Sequence, residues 1–207
     1  LGLGRTLGKL HRVGQSKQFT SRIDYSLDRW LVEPLQYLAS AWIPDDLQTA
    51  WRSLGIDIVD RASKLMHDYD PMQGIRLHGD CHIGNILWRD ENPHFIDLDD
   101  CLKGPAIQDL WMFLSGDRSQ RESQLVELVR GYEDFNEFDT RQIKWIEGLR
   151  TARMVYHCAW IGRRWDDPAF PHAFPWFGET RYWATQILAL REQLRALEEP
   201  PLRVYSI

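Results

Sequence analysis

No run of about eighteen apolar residues occurs in the chain, so no membrane-spanning helix and no membrane partner are expected. No secretory leader is legible either. Cysteine is scarce: Cys81, Cys101 and Cys158 are the three present, an odd number without close pairing. That usage predicts a reduced, cytoplasmic protein rather than a disulfide scaffold. Neither sign of charge dominates, with 25 bases against 30 acids and a net charge of -5. A mildly acidic balance argues against a nucleic-acid backbone as partner. Repeats and low-complexity tracts are missing. Disorder is excluded too, because 43% of the residues are hydrophobic and ten are Trp. The 207 residues suffice for one large domain or two small ones.

What is present is mostly helical periodicity. Leu3, Leu7 and Leu10 keep a helical period over residues 3–13, ended near Gly14. Residues 25–40 carry a helical pattern that Pro34 interrupts. Asp45, with Gln48 three residues on, reads as the cap of a helix. Its face is Leu47, Trp51, Leu54, Ile58, Ala62, Leu65 and Tyr69, and Asp70, Pro71 and Gly74 end it. Strands are expected at 75–77, 86–88 and 94–96. The polar RDENP joins the last two as a hairpin, with Asp90, Glu91 and Asn92 as a solvated turn. After Gly104-Pro105, helices are expected near 106–115, 119–133, 139–165 and 179–197. The segment DDPAFPHAFPWFG, with three prolines and four aromatics, is expected as an ordered loop. The fold class is therefore α+β, mostly helical, with one small hairpin.

The unusual polar residues gather at that hairpin. Residues 77–100 read LHGDCHIGNILWRDENPHFIDLDD: a His-Gly-Asp, an Asn five residues after the Asp, then an apolar strand ending in carboxylates. Asp97 and Asp99 lie two apart beyond a strand and are expected to share a face. Two such carboxylates repel unless a cation lies between them. Hard divalent ions such as Mg2+ take oxygen ligands of this kind, supplemented by phosphate oxygens. Phosphoryl transfer needs a carboxylate to accept the proton of the attacking hydroxyl, and oxygens that hold Mg2+ on the nucleotide phosphates. Asp80-x4-Asn85 has the spacing of a kinase catalytic loop, and Asp97 sits beyond the hairpin where kinases carry a metal-binding Asp.

HGDCHIGN followed by FIDLDD resembles the aminoglycoside phosphotransferase and choline kinase branch of the protein-kinase-like fold. That branch has H-G-D-x4-N in place of H-R-D, and I-D-x-[DE] in place of D-F-G. GPAIQDLWM, RRWDDPAFP and EEPPL narrow the resemblance to bacterial stress-response Ser/Thr protein kinases within it, over essentially the whole chain. The resemblance implies ATP- and Mg2+-dependent phosphoryl transfer to Ser/Thr hydroxyls of protein substrates. It implies Asp80 as catalytic base, Asn85 as a metal ligand on the catalytic loop and Asp97 as the principal Mg2+ ligand. Asp99 falls where the branch often carries a second acid. His78 and Asp109 would brace the catalytic loop.

The resemblance also implies that residues 1–207 form a single domain, the C-terminal lobe. Nothing upstream resembles a Gly-rich phosphate loop, a strand lysine or its partner glutamate. Gly2 and Gly4 open directly into a helix without a preceding strand, so they do not substitute. An N-terminal lobe would dock near the hairpin and the first helix, and the chain alone is expected to be inactive.

Two other chemistries share these residues. A small-molecule kinase acting on an aminoglycoside, choline or homoserine-like alcohol uses the same motif. His78-Gly-Asp80-Cys-His82 also offers ligands for a metallohydrolase, although no second His cluster follows. Cys81 reads as a small buried filler, with a redox-sensitive thiol as the alternative. His11, His67, His94, His157 and His172 read as surface or capping residues.

Overall fold

The computed structural model describes residues 1–90 and 92–204. Glu91, expected in the hairpin turn, lies outside the described residues. In chain order the elements are α1 (Gly2–Gln15), α2 (Glu33–Ala41), α3 (Gln48–Leu65), β1 (Ile75–Leu77), β2 (Ile86–Arg89), β3 (Asn92–Phe95), β4 (Leu102–Gly104), α4 (Arg118–Glu133), α5 (Ile146–Gly162), α6 (Ala169–Ala173) and α7 (Thr180–Ala196). This is the mostly helical α+β class expected. The chain divides into two compact units. One holds residues 1–25, 69–146 and 200 onward; the other holds 26–68 and 147–199.

In the first unit, α1 lies against α4 with backbones nearly touching. A Cβ at Gly4 would sit 2.0 Å from the Leu128 carbonyl oxygen, one at Gly8 2.5 Å from that of Tyr132, and one at Gly131 2.2 Å from that of Leu1. Small residues are what allow two helices so close. The buried face of α1 is therefore Gly4, Leu7, Gly8, His11 and Gly14. Leu3 and Leu10, which carry the apparent apolar period, are only half-buried. Gly4 is thus a packing residue of α1.

Two antiparallel pairs follow. β2 and β3 form the hairpin, with Ile86 opposite Phe95 and Arg89 opposite Asn92. The strands run further than expected, so RDENP is not all loop. Asp90 turns the chain with φ at 49°, a conformation Asp tolerates. β4, not foreseen, pairs with β1, with Leu77 opposite Leu102 and Ile75 opposite Gly104. The expected helix at 106–115 is two 3-10 turns, Ala106–Asp109 and Trp111–Phe113. The expected long helix from 139 starts as a 3-10 turn, Thr140–Trp145. The Asp139 side chain caps it by accepting from Arg141 N, and α5 begins only at Ile146.

The second unit is helical and aromatic. Ring contacts join Trp42 to Phe177, Phe177 to Trp183 and Trp183 to Trp51. The proline-rich segment is ordered and contains α6. Asp45 does not cap α3: a 3-10 turn, Asp45–Leu47, precedes that helix and no side-chain cap bond forms. Gln48 instead donates to the carbonyls of Ala39 at 2.6 Å and Ile43 at 2.9 Å, closing the end of α2.

Candidate active site

β1 ends at Leu77 and delivers His78, Gly79 and Asp80 into a loop. Gly79 takes φ at 89°, and a Cβ there would lie 2.2 Å from the Asp100 carbonyl oxygen. Only glycine fits such a backbone. Both sides of this turn are tied to the 3-10 turn at 106–109. The fully buried Asp109 carboxylate accepts from His78 N at 2.8 Å and Gly79 N at 2.9 Å. Gln108 Nε2 donates to the Gly79 carbonyl at 3.2 Å, and Trp111 Nε1 holds Gln108 at 3.1 Å. Gln108 and Trp111 lie in the GPAIQDLWM segment, of which only Asp109 was expected to brace the loop.

Further along the loop, a short 3-10 turn, Ile83–Asn85, brings Asn85 back beneath Asp80. Asn85 Nδ2 donates to the Asp80 carbonyl at 3.0 Å and approaches Asp80 Oδ2 at 3.4 Å. His82 accepts from Gly84 N at Nδ1, so its proton sits on Nε2, 3.4 Å from Asp80 Oδ2. The Asp80 side chain is 19% exposed, so it is held from within yet open to solvent.

Ile96 ties the hairpin to this loop. Its N–H donates to the Asn85 carbonyl at 3.0 Å, and its own carbonyl accepts from His78 Nε2 at 2.8 Å. Asp97 is the next residue, exposed, with φ at 61°. It lies outside any strand, so the alternation that would put Asp97 and Asp99 on one face does not extend to them. Asp99 is exposed, and its main-chain oxygen accepts from the Arg22 guanidinium. Among the described residues no three His, Cys, Asp or Glu side chains converge to hold a metal. The metallohydrolase reading therefore finds no ligand cluster among the described residues, and Cys81 of its His78-Gly-Asp80-Cys-His82 run is fully buried.

Cys81 faces inward beside Asp109 and Asp80. Burial first, then those carboxylates, push its thiol far above the ordinary value. A reactive thiol needs the opposite shift.

His11 departs most from the sequence reading. It is neither a surface nor a capping residue: it is fully buried, with Nε2 3.0 Å from Asp109 Oδ2 and Nδ1 3.0 Å from the Tyr132 hydroxyl.

Residues 2–146 match the model of a phosphotransferase enzyme family. Over 203 residues the chain is 45% identical to "Stress response kinase A" of Escherichia coli O157:H7, covering 98% of this chain and 61% of that protein. It is equally identical, over the same shares, to "Serine/threonine protein kinase RdoA" of Salmonella typhimurium. The chain thus spans about three fifths of the length of these curated relatives (61%). Among solved structures it is similar to an amicoumacin kinase bound to AMP-PNP and Ca2+, with TM-score 0.63 and 17% identity over 99% of this chain and 60% of that one. A microcompartment-associated aminopropanol kinase gives TM-score 0.60 and 18% identity over 98% and 63%. At such identities the likeness shows the fold alone.

Proposed function

The chain belongs to the phosphotransferase enzyme family, and from that membership we propose that it carries the catalytic loop of an ATP- and Mg2+-dependent kinase acting on Ser or Thr hydroxyls of proteins. Asp80 takes the proton of the attacking hydroxyl. The observation that carries this role is the joint presentation of Asp80 and Asn85: one partly exposed carboxylate, steadied by the amide of the other. His78 and Asp109 hold the loop and do not touch substrate.

Asn85 and Asp97 are the proposed Mg2+ ligands. The Asn85 NH2 is committed to Asp80, which leaves the amide oxygen as the metal-binding end. Asp97 follows directly on the residue bonded to Asn85. These are hard oxygen donors, which fits a divalent ion of the Mg2+ type. Among the described residues too few acids converge for an all-protein cage, so a bound ion would draw on nucleotide phosphates and water as well, as is usual for Mg2+. Held by Asn85 and Asp97, the ion would supply charge neutralisation at the transferring phosphoryl group. Asp99 is the outer acid. Ile83, Leu87, Trp88, Ile96 and Leu98 are exposed around the hairpin; they offer apolar surface to the nucleotide base and to a covering N-terminal lobe.

A protein substrate is favoured by the name of the Salmonella typhimurium relative. A small alcohol is the competing class, since the same loop serves either. The test incubates the full-length protein and its Asp80→Asn variant with labelled ATP and Mg2+. A general protein substrate is offered beside a panel of amino alcohols and aminoglycosides. Transfer to Ser or Thr in protein, abolished in Asp80→Asn with nucleotide binding retained, is expected. Transfer to a small alcohol alone would reassign the substrate, and a fully active Asp80→Asn would remove Asp80 as base.

A further inference from the structure

We propose that His11 is a positioning residue for the catalytic loop: its Nε2–H, set by a hydrogen-bond chain from α4, holds the Asp109 carboxylate in the orientation that pins His78 and Gly79. This rests on the reading of Asp80 as the base. Asp109 is fully buried and meets three donors, His78 N, Gly79 N and His11 Nε2. Two of them share Oδ2, so the carboxylate is oriented by all three together. A carboxylate out of water depends on such donors.

The direction of the His11 bond follows from what lies behind it. Asn136 Nδ2 donates to the Tyr132 hydroxyl oxygen at 2.9 Å. The hydroxyl hydrogen is then available to His11 Nδ1 at 3.0 Å, and the ring proton sits on Nε2, facing Asp109. Burial keeps the Tyr132 hydroxyl protonated well above its ordinary range, so that hydrogen stays in place. Every bond runs the same way, from Asn136 through Tyr132 and His11 to Asp109, and bonds aligned in this sense reinforce one another.

The loop has no slack to absorb a failure of this chain. Gly79 already sits against the Asp100 carbonyl. Without the His11 donor, a buried carboxylate regains a partner only by turning. Turning releases His78 N or Gly79 N, and Asp80, the next residue, moves with the backbone. Phosphoryl transfer is sensitive to such a shift, because displacement of about 1 Å costs on the order of a hundredfold in rate.

The test uses the full-length protein and four variants: His11→Leu, His11→Gln, Tyr132→Phe and Asp80→Asn. Turnover, nucleotide KM and thermal melting are measured, together with hydrogen exchange at the His78 and Gly79 amides. His11→Leu is expected to lower kcat roughly ten- to hundredfold, the range of one charge-assisted hydrogen bond, with KM changed by less than about threefold. His11→Gln, which restores a donor, should recover much of the loss, and Tyr132→Phe should fall between. Both amides should exchange at least about tenfold faster in folded His11→Leu than in wild type. Unchanged amide protection, or unchanged kcat in folded His11→Leu while Asp80→Asn is dead, overturns the proposal. An active Asp80→Asn overturns the functional reading instead, and amide exchange alone then decides the role of His11. Should His11→Leu fail to fold, Tyr132→Phe, which removes one oxygen only, decides by the same two readouts.

Discussion

Asp97 takes φ at 61° immediately after a residue bonded to both ends of the catalytic loop. Asp and Asn are the non-glycine residues that visit this region at least cost. Asp97→Asn therefore separates charge from backbone. Its melting temperature should stay within about a degree of wild type, while Mg2+-nucleotide affinity, measured by calorimetry, should fall at least about tenfold. Wild-type affinity in Asp97→Asn would strike Asp97 from the ligand set. No gain in stability from relieved repulsion is expected, because Asp97 and Asp99 are not paired across a strand face. Cys81 is fully buried with its thiol pushed up, so wild type and Cys81→Ser should be equally sensitive to peroxide. Protection confined to Cys81→Ser would revive a redox role. At this scale the Asp80 and Asn85 pairing was legible from spacing. His11 was not, because its partners lie 98 and 121 positions away. No local rule reaches that far, and a lone His in a polar-looking helix gives no other sign.

Elements show the same limit in a sharper form. Asp45-x-x-Gln48 and Asp117-x-x-Gln120 are identical patterns with opposite outcomes. At α4 both reciprocal bonds form, Gln120 N to Asp117 and Asp117 N to Gln120. At α3 the glutamine is drawn off by the open carbonyls at the end of α2. The local motif states a capacity, and the neighbouring helix decides its use. Asp117→Ala should cost about 1 kcal/mol in urea denaturation, and Asp45→Ala well under about half that. Equal costs would mean that Asp45 caps in solution. The hairpin and the helices α2, α3, α5 and α7 were readable from periodicity, whereas α6 lies in a segment expected to be a loop. β4 was not, since a three-residue Leu-Lys-Gly strand carries no pattern and is held by pairing with β1 on one side and by a bridge from Lys103 to Asp24 on the other. The 3-10 turn bearing Asp109 was mistaken for a helix because its side chains follow an apolar rhythm. Its Gln108 and Asp109 side chains are spent on the catalytic loop.

Across the whole molecule, buried phenols and thiols give the fold a response to alkaline pH. Burial raises Tyr25, Tyr69, Tyr132, Tyr182, Cys81 and Cys158 in both units. Their ordinary values are 10.0 for tyrosine and 9.0 for cysteine. Above those values the unfolded chain loses protons that the folded one keeps. The unfolded state then binds fewer protons, so stability falls as pH rises. Unfolding free energy from urea titrations should be flat with respect to these groups below about pH 8 and decline steadily from about pH 9 upward. A flat profile to pH 11 would show these side chains hydrated in solution. The family frame was legible at this scale because one motif pair carries it. The division into two units was not, since it depends on contacts between segments far apart in sequence.

The glycine-lined crossing of α1 and α4 has a consequence in genetic terms. Glycine is the smallest residue, so no missense change at Gly4, Gly8 or Gly131 can make the site smaller. Each adds atoms where a carbonyl oxygen already lies within 2.5 Å of the first one added. Leu3 and Leu10, on the same helix and only half-buried, have room to vary. The part of α1 that looks like its hydrophobic signature is thus the part free to drift. The residues without side chains are the ones under constraint, and through His11 on the same face that constraint extends to the catalytic loop.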